Sequence, residues 1–512
     1  MSRTKYILKN SITGVISKIL TITLGFISRT VFIYFLGTEY LGVNGLYTEL
    51  LSVLSLTELG LGSAMVYALY KPVSDNDDVM ISKLMNFYKS AYRYIATIIL
   101  VLGIIIIPFL PIIVNGADSI TLTQLRLYYC IFLFNTVVNY FVSYKYSIVN
   151  ANQKNYLITN IEMVIHFITS ILQIIFLFTF KNFTVYLVTQ STLLLISRIY
   201  ISLYLNKKFP ILTQNVDAKL TREEKAPITK NVQALVVHRF AGAAVYSTDN
   251  IIISMFSGLG VAAVGLISNY TMLTSSVLAF VIIILTSVTS SFGNMAANST
   301  TENFKKAFLQ MNFIGFWSYG FCVISFIILI PPFITLWIGP EFLIDNISFL
   351  LIMINIYIKG QCDVFYNTRA SKGEFGRDKW YALLEAIVNL VVSVIFALKF
   401  GLPGVYMGTV TARLVYLFTR PSSVYYFLFE TSCKEYYKSF AKNSCIVIFA
   451  GAITYFATLN IISVVTITNF LIACVIVAII PNIIFLVFSF KTEEFQGLVS
   501  RFKYLNKSLK SN

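Results

Sequence analysis

Residues 27–77 read ISRTVFIYFLGTEYLGVNGLYTELLSVLSLTELGLGSAMVYALYKPVSDND, and this stretch decides the fold. It holds the end of one apolar run (11–36) and the whole of a second (44–70), joined by a short segment that begins with Gly37. A helix needs about 20 apolar residues to cross the roughly 30 Å hydrocarbon core of a bilayer. Both runs reach that length, so the stretch predicts two consecutive transmembrane helices.

The composition extends this prediction to the whole chain. Of the 512 residues, 57% are hydrophobic and only 12% are charged, whereas a soluble domain carries about 25% charged residues. The net charge of +16 would suggest nucleic-acid binding in a soluble protein. Here the basic residues lie between apolar segments, which is typical of membrane topology. The composition therefore indicates a membrane protein and argues against a nucleic-acid partner.

Hydropathy over windows of roughly 19 residues predicts an all-α polytopic fold with fourteen spans. The spans are 11–36, 44–70, 88–113, 122–147, 156–180, 184–204, 232–256, 263–292, 307–331, 346–369, 380–398, 405–428, 441–459 and 467–490. With the N-terminus inside, the inner loops and tails carry 24 Lys and Arg residues and the outer loops carry 2, Lys181 and Lys399. This asymmetry predicts that both termini are cytoplasmic. Lys18 interrupts the first apolar run, so we expect a retained helix rather than a cleaved signal peptide.

The longest inner segment, 205–231, divides the chain. It contains two prolines and mixed charge, and we interpret it as a cytoplasmic linker between two six-helix lobes, 1–204 and 232–428. The remaining residues, 429–512, hold the last two spans and a cytoplasmic tail. Two repeated helical halves with a substrate site between them are a common plan among transporters.

A weak internal similarity supports the two halves. Lys9 precedes the first span and Gly37 closes it 28 positions later, while Lys230 precedes the seventh span and Gly258 closes it at the same spacing. Each match is common by chance, but the agreement in register favours a repeat.

Several basic residues lie inside predicted spans, where a charge costs about 2.5–3.5 kcal/mol on insertion scales. Lys18 and Arg29 are eleven positions apart, close to three helical turns, so they share a face of the first helix. Arg29 lies about 10 Å of helix rise from the outer end, which favours a cavity-facing residue over an interface anchor. Arg413 falls near mid-depth on the twelfth span, and Arg420 is closer to the cytoplasm, where it would serve as an anchor.

Acidic and histidine side chains in the spans are candidates for carrying a coupling ion. Glu58 lies near the middle of the second span, either as the counter-charge of Arg29 or as a proton-carrying carboxylate. His238 and Asp249 are eleven positions apart on the seventh span, with Arg239 beside them. The histidine has a structural interpretation as well as one as a proton relay.

Other charges have structural interpretations. Two pairs are four positions apart on their helices and would satisfy each other there: Lys359 with Asp363, and Glu162 with His166.

The sequence offers no sign of an enzyme or of a cofactor site. We found no phosphate-binding loop, nucleophilic triad or dinucleotide motif, and no extramembrane loop is long enough for a catalytic domain. With only two histidines and no CxxC motif, we expect no metal. We interpret the cysteines as small buried apolar residues: Cys130, Cys322, Cys362, Cys433, Cys445 and Cys474.

Residues 27–77 resemble the start of the bacterial Wzx-type polysaccharide flippases. That family belongs to the superfamily that also contains the multidrug and toxin extruders and the lipid II flippases. The resemblance is specific over the first 77 residues and architectural beyond them. It implies two six-helix lobes around a central cavity, here with two further helices, in the bacterial cytoplasmic membrane.

The resemblance also implies a substrate. Flippases of this type pass undecaprenyl-diphosphate-linked oligosaccharide repeat units from the inner to the outer leaflet, and glycosyltransferases and a polymerase are their expected partners. Their cavities are cationic, so Arg29 is the first candidate for the diphosphate, followed by Lys18, Arg239 and Arg413. A lipid II flippase or a multidrug extruder of the same superfamily is the alternative, although an extruder of cationic drugs would prefer acidic residues. The sequence leaves the sugar and the coupling ion open.

Overall fold

The chain is an all-α polytopic membrane protein, as the sequence predicts. The computed structural model describes residues 3–55, 61–214, 220–226, 248–256, 258, 260–298, 300–371 and 379–510, and these contain helices and turns but no strand. The helices are α1 (Arg3–Leu54), α2 (Leu61–Asp75), α3 (Asp78–Ile106), α4 (Leu110–Ile113), α5 (Leu122–Ser143), α6 (Tyr146–Ala151), α7 (Tyr156–Phe180), α8 (Phe183–Lys208), α9 (Asp249–Phe256), α10 (Gly260–Asn298), α11 (Thr301–Trp337), α12 (Asn346–Ser371), α13 (Lys379–Phe400), α14 (Leu402–Phe427), α15 (Lys434–Ile462), α16 (Ile467–Ser489) and α17 (Glu493–Lys510).

Eleven helices of the described chain are long and apolar enough to cross a membrane. The first predicted span and the start of the second run together in α1, while the end of the second lies in α2, which accounts for part of the difference from fourteen. The predicted span at 405–428 does form a long helix, α14, but Arg413 and Arg420 lower its hydropathy. The predicted span at 232–256 lies mostly outside the described residues.

Gly37 separates the two halves of α1. Its backbone angles are φ 78° and ψ −172°, a non-helical conformation inside an otherwise continuous helical element. Side chains disfavour positive φ, and glycine adopts it without steric cost. The first span therefore ends at the glycine that the sequence indicates. Gly258, its counterpart in the predicted repeat, has a φ of 76°.

Contacts between Cα atoms group the chain into two compact units, Met1–Gly265 and Leu266–Asn512. In the first unit the second half of α1 crosses the start of α10 at two glycines. A Cβ on Gly42 would lie 1.9 Å from the carbonyl oxygen of Val261, and a Cβ on Gly265 would lie 2.3 Å from that of Thr38. Each glycine thus meets the residue four positions before the other, so the two backbones touch directly. Small residues permit such an approach.

Hydrogen bonds hold the same region to the segment after α4. The Val261 amide donates to the carbonyl oxygen of Asn115 at 2.7 Å, and the Ser254 hydroxyl donates to that of Ile113 at 2.7 Å. The end of α9 and the first turn of α10 are therefore fixed to the first unit by backbone contacts as well as by packing.

Part of the predicted linker is held against α3. Thr221 caps a helical turn at 222–226, because the Glu224 amide donates to Thr221 Oγ1 at 3.2 Å and the Thr221 amide donates to Glu224 Oε2 at 2.7 Å. Lys83 Nζ on α3 donates to Glu224 Oε1 at 3.2 Å. The Thr221 amide, together with Lys83, holds the pKa of the Glu224 carboxyl below its usual value. Residues 215–219 and 227–231 of the linker lie outside the described chain.

Aromatic packing organises the second unit around α11. Phe308 of α11 packs against Phe365 of α12 and Tyr425 of α14, with ring centroids 5.2 and 5.9 Å apart. Further along α11, Phe316 packs against Phe485 of α16 at 5.2 Å. The last two spans, α15 and α16, are therefore built onto the second unit through α11.

The cysteine prediction is only partly correct. Cys322 and Cys362 are buried as expected, whereas Cys130 and Cys445 are exposed. Both exposed thiols lie on helices long and apolar enough to span a membrane. A thiol behaves there as a small apolar residue, so apolar character does not require burial in protein.

Candidate functional site

Lys18 and Arg29 lie on one continuous helical stretch of α1, and both side chains are half-buried. Their spacing of eleven residues places them on the same face. The described part of the chain offers Lys18 no hydrogen bond or ion pair. Both cations thus lie inside a helix long and apolar enough to span a membrane, and their contact with a substrate stays a prediction.

Arg29 faces the region where α1 packs against α7 and α8. The Tyr186 side chain on α8 is close enough to interact with it electrostatically, and the Tyr186 ring packs edge-on against Phe32 at 5.1 Å. Gln173 Nε2 on α7 donates to the Tyr186 carbonyl oxygen at 3.4 Å and to Gln190 Oε1 at 3.5 Å. The guanidinium therefore lies beside the Tyr186 side chain, in the region where α1, α7 and α8 meet.

The predicted ion-coupling residues are mostly outside the described residues. Glu58, His238 and Arg239 lie outside the described residues. The proposed pairing of Glu58 with Arg29 therefore stays a prediction, and so does the shared face of His238 and Asp249. Asp249 is described: it begins α9 and is half-buried.

Arg413 lies in a buried ion pair of the second unit. Its side chain is 3% exposed and that of Glu385 on α13 is 7% exposed. Arg413 Nη1 donates to Glu385 Oε1 at 2.6 Å, and Nε donates to Asn355 Oδ1 at 2.8 Å. Arg420 Nη2 lies 3.8 Å from Glu385 Oε2, so it is buried rather than anchored at the cytoplasmic surface. This geometry favours a structural role for Arg413 over contact with a substrate.

We expect removal of Glu385 to destabilise the protein more than removal of Arg413. Breaking a buried ion pair costs about 3–5 kcal/mol because it leaves an uncompensated charge, and Glu385 serves two guanidinium groups. Glu385→Leu should therefore lower the thermal unfolding midpoint of the purified protein further than Arg413→Met does. Equal shifts would show that Arg420 does not depend on this carboxylate.

The predicted pairing of Glu162 with His166 is wrong. Glu162 Oε1 instead accepts from Arg198 Nη1 on α8 at 2.8 Å and from the Tyr146 hydroxyl at 3.2 Å. The His166 Nδ1 atom lies 3.3 Å from the Ser170 hydroxyl. An arginine on a neighbouring helix is a stronger partner for a carboxylate than a neutral histidine on the same helix.

The pair on α12 has an additional partner. Lys359 acts on Asp363 electrostatically, as expected from their spacing. Asp363 Oδ2 also accepts from the Tyr319 hydroxyl of α11 at 3.0 Å. Asp363 is therefore tied to a second helix.

Sequence reasoning did not single out Arg198 and Glu385, two charged residues that the structure places in spans. Both were visible as charges within the predicted spans 184–204 and 380–398. The same criterion that singled out Arg29 and Arg413 would have found them, although not their partners.

Comparisons with known proteins identify the fold. No family model and no curated protein matches the sequence. The structure is similar to the lipid II flippase MurJ in an inward-closed conformation, with a TM-score of 0.65 and 17% identity over 94% of this chain and 98% of that one. It is also similar to an inward-facing multidrug resistance MATE family transporter of the MOP superfamily, with a TM-score of 0.57 and 17% identity over 78% of this chain and 92% of that one. A Vibrio cholerae MATE transporter gives 0.57 and 14% identity over 81% and 94%. The chain thus has the same fold as these flippase and MATE transporter structures.

Proposed function

We propose that the chain is a flippase for undecaprenyl-diphosphate-linked oligosaccharide repeat units. It would carry them from the inner to the outer leaflet of the bacterial cytoplasmic membrane by alternating access, with both termini in the cytoplasm. The fold is that of flippases and transporters, and the structurally similar MurJ moves a lipid-linked substrate. The resemblance of residues 27–77 to the polysaccharide flippases favours an oligosaccharide repeat unit as the cargo.

One observation carries the proposal: the half-buried pair of cations on the part of α1 before Gly37. A diphosphate is a compact anion, and a guanidinium offers it two parallel charge-assisted hydrogen bonds in a low-dielectric setting. Arg29 would bind the diphosphate directly, and Lys18 would attract it from the same helix face. The polyprenyl tail would stay in the lipid while the head group crosses.

Basic side chains distinguish this proposal from a multidrug extruder. An extruder of cationic drugs needs acidic groups in its path, whereas α1 presents Lys18 and Arg29. A lipid II flippase shares the diphosphate chemistry and is the second candidate, favoured by the similarity to MurJ. The two candidate substrates differ in their sugars, and we propose no contact between the basic face of α1 and the sugar of either one.

Accumulation against a gradient would require a coupled ion. We propose Asp249 as its carrier, with His238 and Glu58 as further candidates. Arg239 would add to the positive potential near Asp249. Arg413 would reach a substrate only if its pair with Glu385 opened, so we assign it the weakest part in binding. Glycosyltransferases would supply the substrate and a polymerase would consume it.

Deletion of the gene in its host tests the substrate class. We expect lipid-linked repeat units to accumulate in the inner leaflet while surface polysaccharide is lost, as measured by mass spectrometry of extracted lipids. Plasmid-borne wild type should reverse both changes. Accumulation of lipid II with arrest of growth would overturn the proposal in favour of the peptidoglycan precursor.

A further inference from the structure

Two arginine–carboxylate pairs in the spans differ in their access to a ligand. The side chains of Arg413 and Glu385 in the second unit are 3% and 7% exposed. Those of Arg198 and Glu162 in the first unit are 17% and 43% exposed. The Arg198–Glu162 pair can therefore contact a ligand without first moving out of the protein interior.

The contacts of Arg198 occupy one part of its guanidinium. Nε donates to Asn139 Oδ1 on α5 at 2.7 Å, and Nη1 donates to Glu162 Oε1 at 2.8 Å and to the Tyr146 hydroxyl. Within the described chain, Arg198 Nη2 and Glu162 Oε2 have no hydrogen bond, and neither is a buried atom. Side chains on α5, α6 and α7 therefore hold the Arg198 guanidinium in place, while its Nη2 atom stays accessible.

A second cation, Lys145, contacts α8 close to Arg198. Lys145, at the bend between α5 and α6, is 5% exposed. Its Nζ donates to the Ser202 hydroxyl and to Asn206 Oδ1, both at 2.7 Å. Ser202 is one turn beyond Arg198, about 5.4 Å along the helix. Lys145 has its donors occupied by protein, so it contributes positive potential rather than a contact.

We propose that Arg198 binds the diphosphate of the lipid-linked substrate, and that Glu162 is a resident counter-ion which the diphosphate displaces. This inference rests on the proposed function. Carboxylate and phosphate compete for the same guanidinium geometry. Without substrate, Glu162 offsets the cost of a charge inside the membrane. When a diphosphate arrives, its oxygens take Nη1 and Nη2, and the Glu162 side chain turns to solvent.

The exchange gives a reason for the pair to be half-exposed. A permanently unpaired arginine would hold a diphosphate tightly, whereas a competing carboxylate helps to release it. In the proposed orientation Arg198 and Glu162 lie about six residues, or roughly 9 Å of helix rise, from the inner ends of their spans. Arg29 lies nearer the outer side. Arg198 would therefore meet the diphosphate early in its passage and Arg29 later.

Opposite changes in affinity test the proposal. The full chain is reconstituted in phosphatidylcholine nanodiscs, and the dissociation constant for farnesyl diphosphate is measured. Arg198→Gln should weaken binding by roughly tenfold or more, because it removes charge-assisted hydrogen bonds. Glu162→Gln should tighten it several-fold, because the competing charge is gone. A purely structural pair predicts no such difference in sign.

Controls separate recognition of the anion from damage to the fold. Farnesol, which lacks the diphosphate, should bind all variants equally, and Glu302→Gln in the exposed Glu302–Lys306 pair should leave farnesyl diphosphate binding unchanged. If Arg198→Gln fails to fold, Arg198→Lys keeps the charge without the fork and should show a smaller loss. Unchanged affinity in a folded Arg198 variant, or weaker binding on removal of Glu162, would overturn the inference. Failure of the proposed function would appear separately, as normal lipid-linked intermediates in the deletion strain.

Discussion

Export of repeat units should fall by about a hundredfold or more in Arg29→Ala. The guanidinium is held half-buried among α1, α7 and α8, and in our proposal it makes two charge-assisted hydrogen bonds with the diphosphate. Such bonds contribute about 1.5–3 kcal/mol each, so loss of both accounts for a reduction of this size. Lipid-linked units should accumulate in the inner leaflet, which the lipid extraction assay of the deletion strain measures directly.

Arg29→Lys separates charge from geometry. An ammonium keeps the positive charge but loses the planar fork, so we expect partial export, between those of wild type and Arg29→Ala. The amount of folded protein in the membrane must be compared in each strain, because Arg29 also packs near Tyr186. Full export by Arg29→Ala at normal abundance would contradict the substrate contact and would favour the interface anchor.

The Gly42→Ala and Gly265→Ala variants should each lose most of their folded protein and export. The added methyl group would lie 1.9 or 2.3 Å from a backbone oxygen, and the backbone cannot turn aside as a flexible side chain would. Overpacking typically costs about 1–3 kcal/mol, and here the two helices must separate along their whole crossing. The thermal unfolding midpoint and the export assay measure both effects.

Gly14→Ala is the matched control on the same helix. A Cβ there meets no atom within 4 Å, and alanine favours a helix over glycine by roughly 0.5–1 kcal/mol. We therefore expect wild-type export and equal or higher stability. Wild-type behaviour of the Gly42 and Gly265 variants would mean that the helices cross less closely than the structure shows.

The all-α membrane fold could be predicted from the sequence because lipid imposes a simple rule. A span must be long and apolar, and hydropathy reads both properties directly. The same rule placed a span at 405–428, where the structure has α14, although Arg413 and Arg420 make this helix less apolar. Gly37 could be placed at the end of the first span, but the direct backbone crossing of Gly42 and Gly265 could not. That contact joins residues more than 200 positions apart, and periodicity along one helix does not encode it.

The candidate site was harder to predict because charge pairing is a tertiary property. The spacing of Lys18 and Arg29 fixes their common face, and the structure keeps both on one helix. For Glu162, the same reasoning chose His166 because only partners on the same helix can be read from spacing. Arg198 lies 36 positions away and reaches Glu162 through the packing of α7 against α8. Arg413 looked accessible by depth, but a carboxylate on α13 covers it.

The brevity of the turns between helices has a consequence for how the protein meets the exterior. Only Lys181 and Asn182 join α7 to α8, Gly401 alone joins α13 to α14, and residues 463–466 join α15 to α16. In the proposed orientation all three turns face outward. Extracellular proteases need an extended segment of several residues, and antibodies need a folded epitope. These three turns supply neither. Molecules that recognise such a protein from outside would therefore have to bind its longer outward segments, such as 114–121 between α4 and α5.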